Sequence, residues 1–562
     1  MSLDEFMVLL GKHGTADSVA KHTKMTRQTC RDLHREARKK GLMIPAPEEV
    51  EGKKVEPVIL GSIKATKAVP FPLPPEGEIK RYLVTGAQTN TLLHDPFVDN
   101  LEAYAEHIDA EILVSLFTYI KTARHAASEK KHTKTEQQDW YDQRLAPYLI
   151  DYKVKLAPGL EFCAEMNIRP SAVNPLSGLE SYTQRKSGIF PHTQIAMRSV
   201  PSGRNEPTKF NYTTGAVTQL NYIQQKTGLK AEFHHCYGAL IVEVDHKGLW
   251  FVRQINAEDD GSFYDLTTRV KNGKVTEGHR VEAITWGDLH IARIDPNVVK
   301  MAWENEDSMT KVLDPKVHLI HDFLDFESQN HHHRKKPFRR YQKHVEKRES
   351  VENEVDKAFQ FIHDLAVKFP SGKFVIADSN HDRALERWLE ETDWKDDMLN
   401  ARFHLQATLD KVTSIQNGNE DFHMIRHLWE KWLKEGNVKG HGVRFLNLDE
   451  PFYICRNKDG SGGIRCDMHG DLGPNGSRGS ALNLSKMGIK LNIGHSHTAG
   501  IYFGVYQAGT CSVLFMIYNV GPGSWSHTHI VTLLNGKRQM ITMFKDQWRH
   551  PIKPKSKRKV KK

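Results

Sequence analysis

The stretch Trp286 to His290, "WGDLH", closes an apolar run, and the reading of the chain's second half turns on it. Val281, Ala283 and Ile284 just before it read as the close of a buried β-strand. Side chains alternate faces along a strand, so Asp288 and His290 point the same way if the extended backbone continues past the sheet edge. An aspartate and a histidine placed in this way can clasp one hard metal ion. A lone D-x-H triplet arises by chance, so the reading depends on partners elsewhere.

Four more apolar runs supply them. "KVHLIHDFLDF" reads as a strand followed by Asp322 and Asp325, and "GKFVIADSNHDR" as a strand followed by Asn380, His381 and Asp382. "GGIRCDMHGD" ends in His469 and Asp471, and "KLNIGHSH" in His495 and His497. Ligands from successive strand ends are expected to converge at one edge of a sheet, where open α/β folds place their sites. Five such clusters in register at strand ends stand well apart from unrelated surface clusters.

The order D-x-H, D, N-H-D, H-G and G-H-x-H resembles the calcineurin-like metallophosphoesterase family over roughly the last half of the chain. The resemblance implies an α/β fold, a four-layer α/β/β/α sandwich carrying two divalent metal ions at one edge. Carried over by position, Asp288, His290 and His497 would hold the first ion, Asn380, His469 and His495 the second, and Asp322 would bridge them. His381 would face the scissile phosphate as the catalytic group, with Asp382 orienting and charging it. "GPGSW" at Gly521 to Trp525 resembles the family's glycine-serine turn after the last ligand. Two positions depart from the pattern: His321 and Ser379 stand where glycine usually precedes the ligand, which predicts slightly altered ligand geometry. Carboxylate, amide and imidazole donors suit Mn²⁺ first, with Fe, Zn²⁺ or Mg²⁺ as alternatives. Two such cations about 4 Å apart activate water and neutralise the charge that builds on phosphorus, so no protein nucleophile is needed.

The 562 residues predict two or three domains. With 39% hydrophobic and 26% charged residues the composition is that of a globular protein. The net charge of +10 and pI near 9.0 favour polyanionic partners. Cys30, Cys163, Cys236, Cys455, Cys466 and Cys511 form no C-x-x-C pair, so neither a zinc cage nor a disulfide framework is expected, and the setting reads as reducing and intracellular, the cytoplasm. No run reaches the roughly 18 apolar residues of a membrane span.

Residues 1–43 read as a helix-turn-helix unit, with helices at Ala16–His22 and from Thr26, an N-cap, to Lys40. Arg27, Gln28, Arg31 and Arg35 load the second helix with groups suited to DNA, although a solvated knob for protein contacts has the same pattern. Residues 44–79 read as a Pro- and charge-rich linker. Residues 80–275 begin as β-α-β and continue strand-rich, with the role of DNA clamp, homo-oligomer surface or scaffold left open. His234 and Cys236 there read as packing rather than ligands. Residues 276–550 form the phosphoesterase domain and 551–562 a basic tail. Between the second and third ligand clusters a polar loop carries His331, His332 and His333, then Arg334, Lys335, Lys336, Arg339 and Arg340, which read as phosphate contacts. His527 and His529 read as solvent-facing alternation in a late strand, and the tryptophans at 388, 394, 429 and 432 as core or lid.

The motif implies a reaction type and leaves the substrate open. The basic segments favour a metal-dependent DNA nuclease. The joined layout also resembles the large pre-early proteins of T-five-like coliphages, which implies degradation of host DNA and support of phage DNA entry. A phosphatase acting on phosphoprotein or nucleotide is the first alternative, and a non-catalytic, metal-containing DNA-binding or scaffold protein the second.

Overall fold

A computed structural model describes residues 1–13, 16–39, 47–58, 67–119, 138–330, 336–419, 421–516 and 519–551, without the side chains of 11–13, 16–18, 34–35 and 38–39. The chain is a mixed α/β structure with five sheets among the described residues. No described helix is long and apolar enough to cross a membrane.

One sheet has six strands in the order Val443–Phe445, Lys373–Ile376, Val317–Ile320, Ala283–Thr285, Thr528–Thr532 and Arg538–Thr542. The first four are parallel, and the last two join antiparallel. The helix Val351–Lys368 crosses between two of the parallel strands, capped by Ser350 Oγ, which accepts from Asn353 N. Both faces of the sheet are covered, so its strands read as continuous apolar runs. Ile284, Ile320, Phe374 and Ile376 face Phe359 and Ile362 of the helical layer. Their neighbours Ala283, Leu319 and Val375 face Ile454, Ile464 and Cys466 of a second sheet. Cutting Phe359 back to alanine in this core costs about 3–5 kcal/mol.

That second sheet corrects two expectations. It has eleven strands, and the C-terminal ones, including Ile464–Arg465 and Lys490–Ile493, continue without a break into strands of residues 69–213. The junction is antiparallel, with Met197 opposite Ile501 and Arg198 opposite Gly500. Residues 80–275 and 276–550, read as separate domains, therefore share a sheet. They also share a core, in which Tyr82 and Leu240 cluster with Ile530 and Met540. The ligand-bearing strand ends accordingly come from two facing sheets, not one edge of one sheet. Pairings between residues so far apart in the chain leave no local trace in a sequence.

The β-α-β unit stands as read: Ile79–Gln88 lies parallel to Ala110–Phe117, with the helix Asp95–Ile108 between and Leu101, Tyr104, Ala105 and Ile108 buried. The described part of the linker carries secondary structure that the sequence reading did not assign. Glu49–Val50 and Lys53–Pro57 form a hairpin whose two-residue turn, Glu51–Gly52, has positive φ at both positions, and Trp140–Asp142 adds a third strand. The described residues of the N-terminal unit form three helices, Leu3–His13, Ala16–His22 and Arg27–Lys39, around Phe6, Leu10, Val19, Cys30 and Ala37. Thr26 Oγ1 accepts from Thr29 N, as an N-cap should.

Candidate metal centre

Each ligand-bearing loop leaves the carboxyl end of a strand and turns sharply. His290, Asp322, His495 and His497 all have positive φ (43, 44, 75 and 57°), a conformation costly for residues with a Cβ and concentrated at functional sites. His321 and Ser379, which replace the expected glycines, are not among the positive-φ residues. Neither position demands glycine. His321 packs its buried ring 5.6 Å from that of His469, and Ser379 Oγ hydrogen-bonds to Asp382 Oδ2 at 2.7 Å.

Asp288, His290, Asp322 and His497 offer ligand atoms that all lie within 4.8 Å of one another, and all four are buried. His497 Nε2 is 3.1 Å from Asp288 Oδ2 and 2.9 Å from His290 Nε2. Asp322 Oδ2 lies 3.4 Å from His290 Nε2 on one side and 3.2 Å from His469 Nε2 on the other. Across that carboxylate, Asn380 Oδ1 is 3.0 Å from His469 Nε2 and 3.1 Å from His495 Nδ1. All seven residues singled out as ligands are thus brought together. Among the described residues neither carboxylate oxygen of Asp288 receives a well-aligned hydrogen bond, His497 Nε2 at 3.1 Å included, although the residue is wholly buried. A buried carboxylate without donors is costly unless a cation neutralises it.

The electrostatics say the same. Burial would raise the Asp322 carboxyl, but the imidazoles of His469, His381 and His290 hold it well below its usual range. Burial would lower His469 and His290, yet Asp322 pushes each up to about 9. His495 and His497 stay lowered, by burial first. Protonated histidines supply the positive charge that this cluster demands, and a divalent cation would displace those protons.

Over 475 residues the chain is 36% identical to Protein A1 of Escherichia phage T5, an alignment covering 82% of this chain and 81% of that protein. The chain belongs to the family of phage T5 protein A1. No family profile and no solved structure matches it.

In this A1-family chain the catalytic candidate His381 is half-buried, with its ring 4.6 Å from that of His290. Its Nδ1 donates to the backbone carbonyl of Asp325 at 2.9 Å. Asp382, expected to orient it, is turned away: its oxygens accept from Leu324 N at 2.9 Å and Phe323 N at 3.4 Å, so it braces the loop behind Asp322. Burial pushes the Asp382 carboxyl up to about 6. The neighbour that reaches the histidines is Asp325, whose Oδ1 is 3.1 Å from His290 Nδ1 and 3.7 Å from His381 Nδ1. Its position three residues after Asp322 was the available signal.

The last ligand is walled by the Gly521–Trp525 turn, since the Trp525 ring stands edge-on to His497 at 4.1 Å. His529 is fully buried, not solvent-facing, and its Nδ1 accepts from Gly287 N at 3.0 Å, fixing the turn that aims Asp288. Trp388 and Trp429 are core, as read. The His234 ring lies tilted against that of Phe503 at 5.0 Å, and the residue belongs to none of the metal-capable groups among the described residues.

Of the DNA-contact candidates, Arg27, Gln28 and Arg31 are exposed on the third N-terminal helix. Lys336 and Arg340 are exposed at the start of helix Pro337–Val345, and Arg339 is half-buried. The Arg35 side chain, His331–His333, Arg334, Lys335 and the tail beyond Pro551 lie outside the described residues.

Proposed function

We propose that the chain is a two-metal phosphodiesterase of the calcineurin-like type, a Mn²⁺-dependent DNA nuclease of a bacteriophage that degrades host DNA and supports phage DNA entry. The observation that carries this reading is Asp322, one carboxylate oxygen standing between the His290 and His469 imidazoles at 3.4 and 3.2 Å. Asp288, His290 and His497 would hold one cation, Asn380, His469 and His495 the other, and Asp322 both. The helical layer on one face of the six-stranded sheet and the second sheet on its other face fit three of the four layers expected of the sandwich. Two bound cations would supply Lewis acidity at the phosphate and lower the pKa of water.

The chain's own residues supply the rest. Asn380, His381 and His495 are the half-exposed members of the cluster, so the phosphate approaches from their side. His381 Nδ1 carries a proton because its partner is a carbonyl oxygen, which leaves Nε2 as the atom that exchanges a proton with the departing oxygen. Asp325 holds His290 and His381 at fixed spacing. Exposed Arg27, Arg31, Lys336 and Arg340 suit a polyanionic substrate.

Linear and closed circular duplex and single-stranded DNA, each incubated with Mn²⁺ or a chelator, test the reading. Metal-dependent cutting supports it. Hydrolysis of a phosphomonoester with no DNA cleavage would replace it with the phosphatase alternative.

A further inference from the structure

Behind Asp325, the carboxylate that meets His290 and His381, lies a cleft of about 400 Å³ that shares Asp325 with the surroundings of the metal centre but is lined by none of the seven ligands; Glu327 and Glu346 also stand on its wall. Four arginines line it: Arg204, Arg293, Arg339 and Arg348. Arg293 and Arg348 are both bound by the buried carboxylate of Glu327. Arg204 and Arg339 are in no ion pair among the described residues; Arg339 is steadied by the Gln342 side chain at 2.9 Å, and Arg204 lies over the Phe515 ring at 5.5 Å. Phe515 also lines the cleft and is 49% exposed, a large apolar face left to solvent.

Arg204 comes from the segment whose role the sequence left open. Its loop is stitched to the turn that walls the centre: Ser202 N donates to Gly523 O at 2.9 Å, Gly523 N to Ser202 O at 3.0 Å, and Thr208 Oγ1 to Trp525 O. Trp525 in turn abuts His497. The middle region is thus built into the approach to the metal centre.

We propose that this cleft holds the nucleotide adjoining the scissile phosphate of an unpaired DNA strand, with Arg204 and Arg339 on its phosphate and the Phe515 ring against its base. The proposal rests on the phosphodiesterase reading for the neighbouring centre and adds the form of the substrate. Two guanidinium groups beside one open aromatic face are the elements of single-strand recognition. The volume suits one nucleotide unit. A base inside a duplex stack has no free face to offer Phe515, so the reacting nucleotide must be unpaired when it enters.

The test is fluorescence anisotropy on the full chain without added metal, using a labelled single-stranded oligonucleotide and the same sequence as a blunt duplex. Wild type should bind the single strand more tightly than the duplex. Arg204→Ala and Phe515→Ala should each weaken single-strand binding about tenfold, Phe515→Trp should restore it, and the remote charge loss Lys458→Ala should cost less than about twofold. Equal binding of duplex and single strand, or wild-type binding by both alanine variants, overturns the proposal. Because binding is read without turnover, an enzyme that shows this pattern and cuts no DNA would sink the nuclease reading and leave the cleft standing.

Discussion

Asp325 Oδ1 lies 3.1 Å from His290 Nδ1, on the side of the ring opposite Nε2, the atom that faces Asp322 and His497. A carboxylate behind a ligating imidazole fixes its tautomer and raises its basicity. The same residue's carbonyl orients His381. Asp325→Asn is therefore expected to weaken Mn²⁺ binding about 10- to 100-fold, read by metal titration. Unchanged affinity would reduce Asp325 to a packing role.

Gly494 sits where a side chain has no room. A Cβ there would stand 2.0 Å from Asp288 Oδ1 and 3.2 Å from His321 Cβ, both in the buried heart of the centre. Gly494→Ala should abolish metal-induced stabilisation, which in wild type amounts to about 2.7 kcal/mol at a metal concentration 100 times Kd. Thermal melts with and without Mn²⁺ measure it; a full metal-induced shift in the variant would show that Asp288 is free to move.

His529 accepts from Gly287 N inside the core. His529→Leu leaves that N–H buried without an acceptor, and the expected loss is about 1–3 kcal/mol in denaturant unfolding. A stability within error of wild type would mean that the turn before Asp288 holds itself.

The metal-free chain should be most stable near pH 6.5. His192 is pushed down to about 4, and His318 and His529 to about 3, each by burial first. Below pH 6.5 the unfolded chain takes up protons that these folded groups refuse, so each removes about 1.4 kcal/mol per pH unit as pH falls. His290 and His469, pushed up to about 9 by Asp322, act in reverse: the folded chain keeps their protons, and stability declines as pH rises from 6.5 towards 9. Mn²⁺, which replaces those protons, should flatten the alkaline arm. Melting temperature against pH, with metal and without, checks both slopes, and an alkaline arm that metal leaves unchanged would contradict the assignment.

The ligand set was legible because each member follows an apolar run short enough to be a strand, and Ala283–Thr285, Val317–Ile320, Lys373–Ile376, Ile464–Arg465 and Lys490–Ile493 are all strands. What stayed hidden depends on distant contacts. Whether Asp325 or Asp382 meets His381 is decided by how two loops turn, and adjacency in sequence favoured the wrong carboxylate. His529 looked solvent-facing because alternation was read on a strand that is buried on both faces. The shared sheet rests on Met197 meeting Ile501. Some misses had local signals. Ser2 and Glu5 form a reciprocal capping box that announces the first helix, with Ser2 N donating to Glu5 Oε2 at 2.7 Å and Glu5 N to Ser2 Oγ at 3.1 Å. Glu51–Gly52 marked the hairpin in the supposed linker.

In the proposed function Asp322 joins two cation sites into one phosphodiester-cleaving centre. The most direct test of that role is cleavage of linear, closed circular and single-stranded DNA by wild type and by Asp322→Asn, each with Mn²⁺ and with chelator, and with DNA binding measured in parallel. Wild type should cut only with Mn²⁺, the variant should lose at least about a thousandfold in rate, and both should retain DNA binding. Cutting that persists in Asp322→Asn, or in the presence of chelator, would contradict that role.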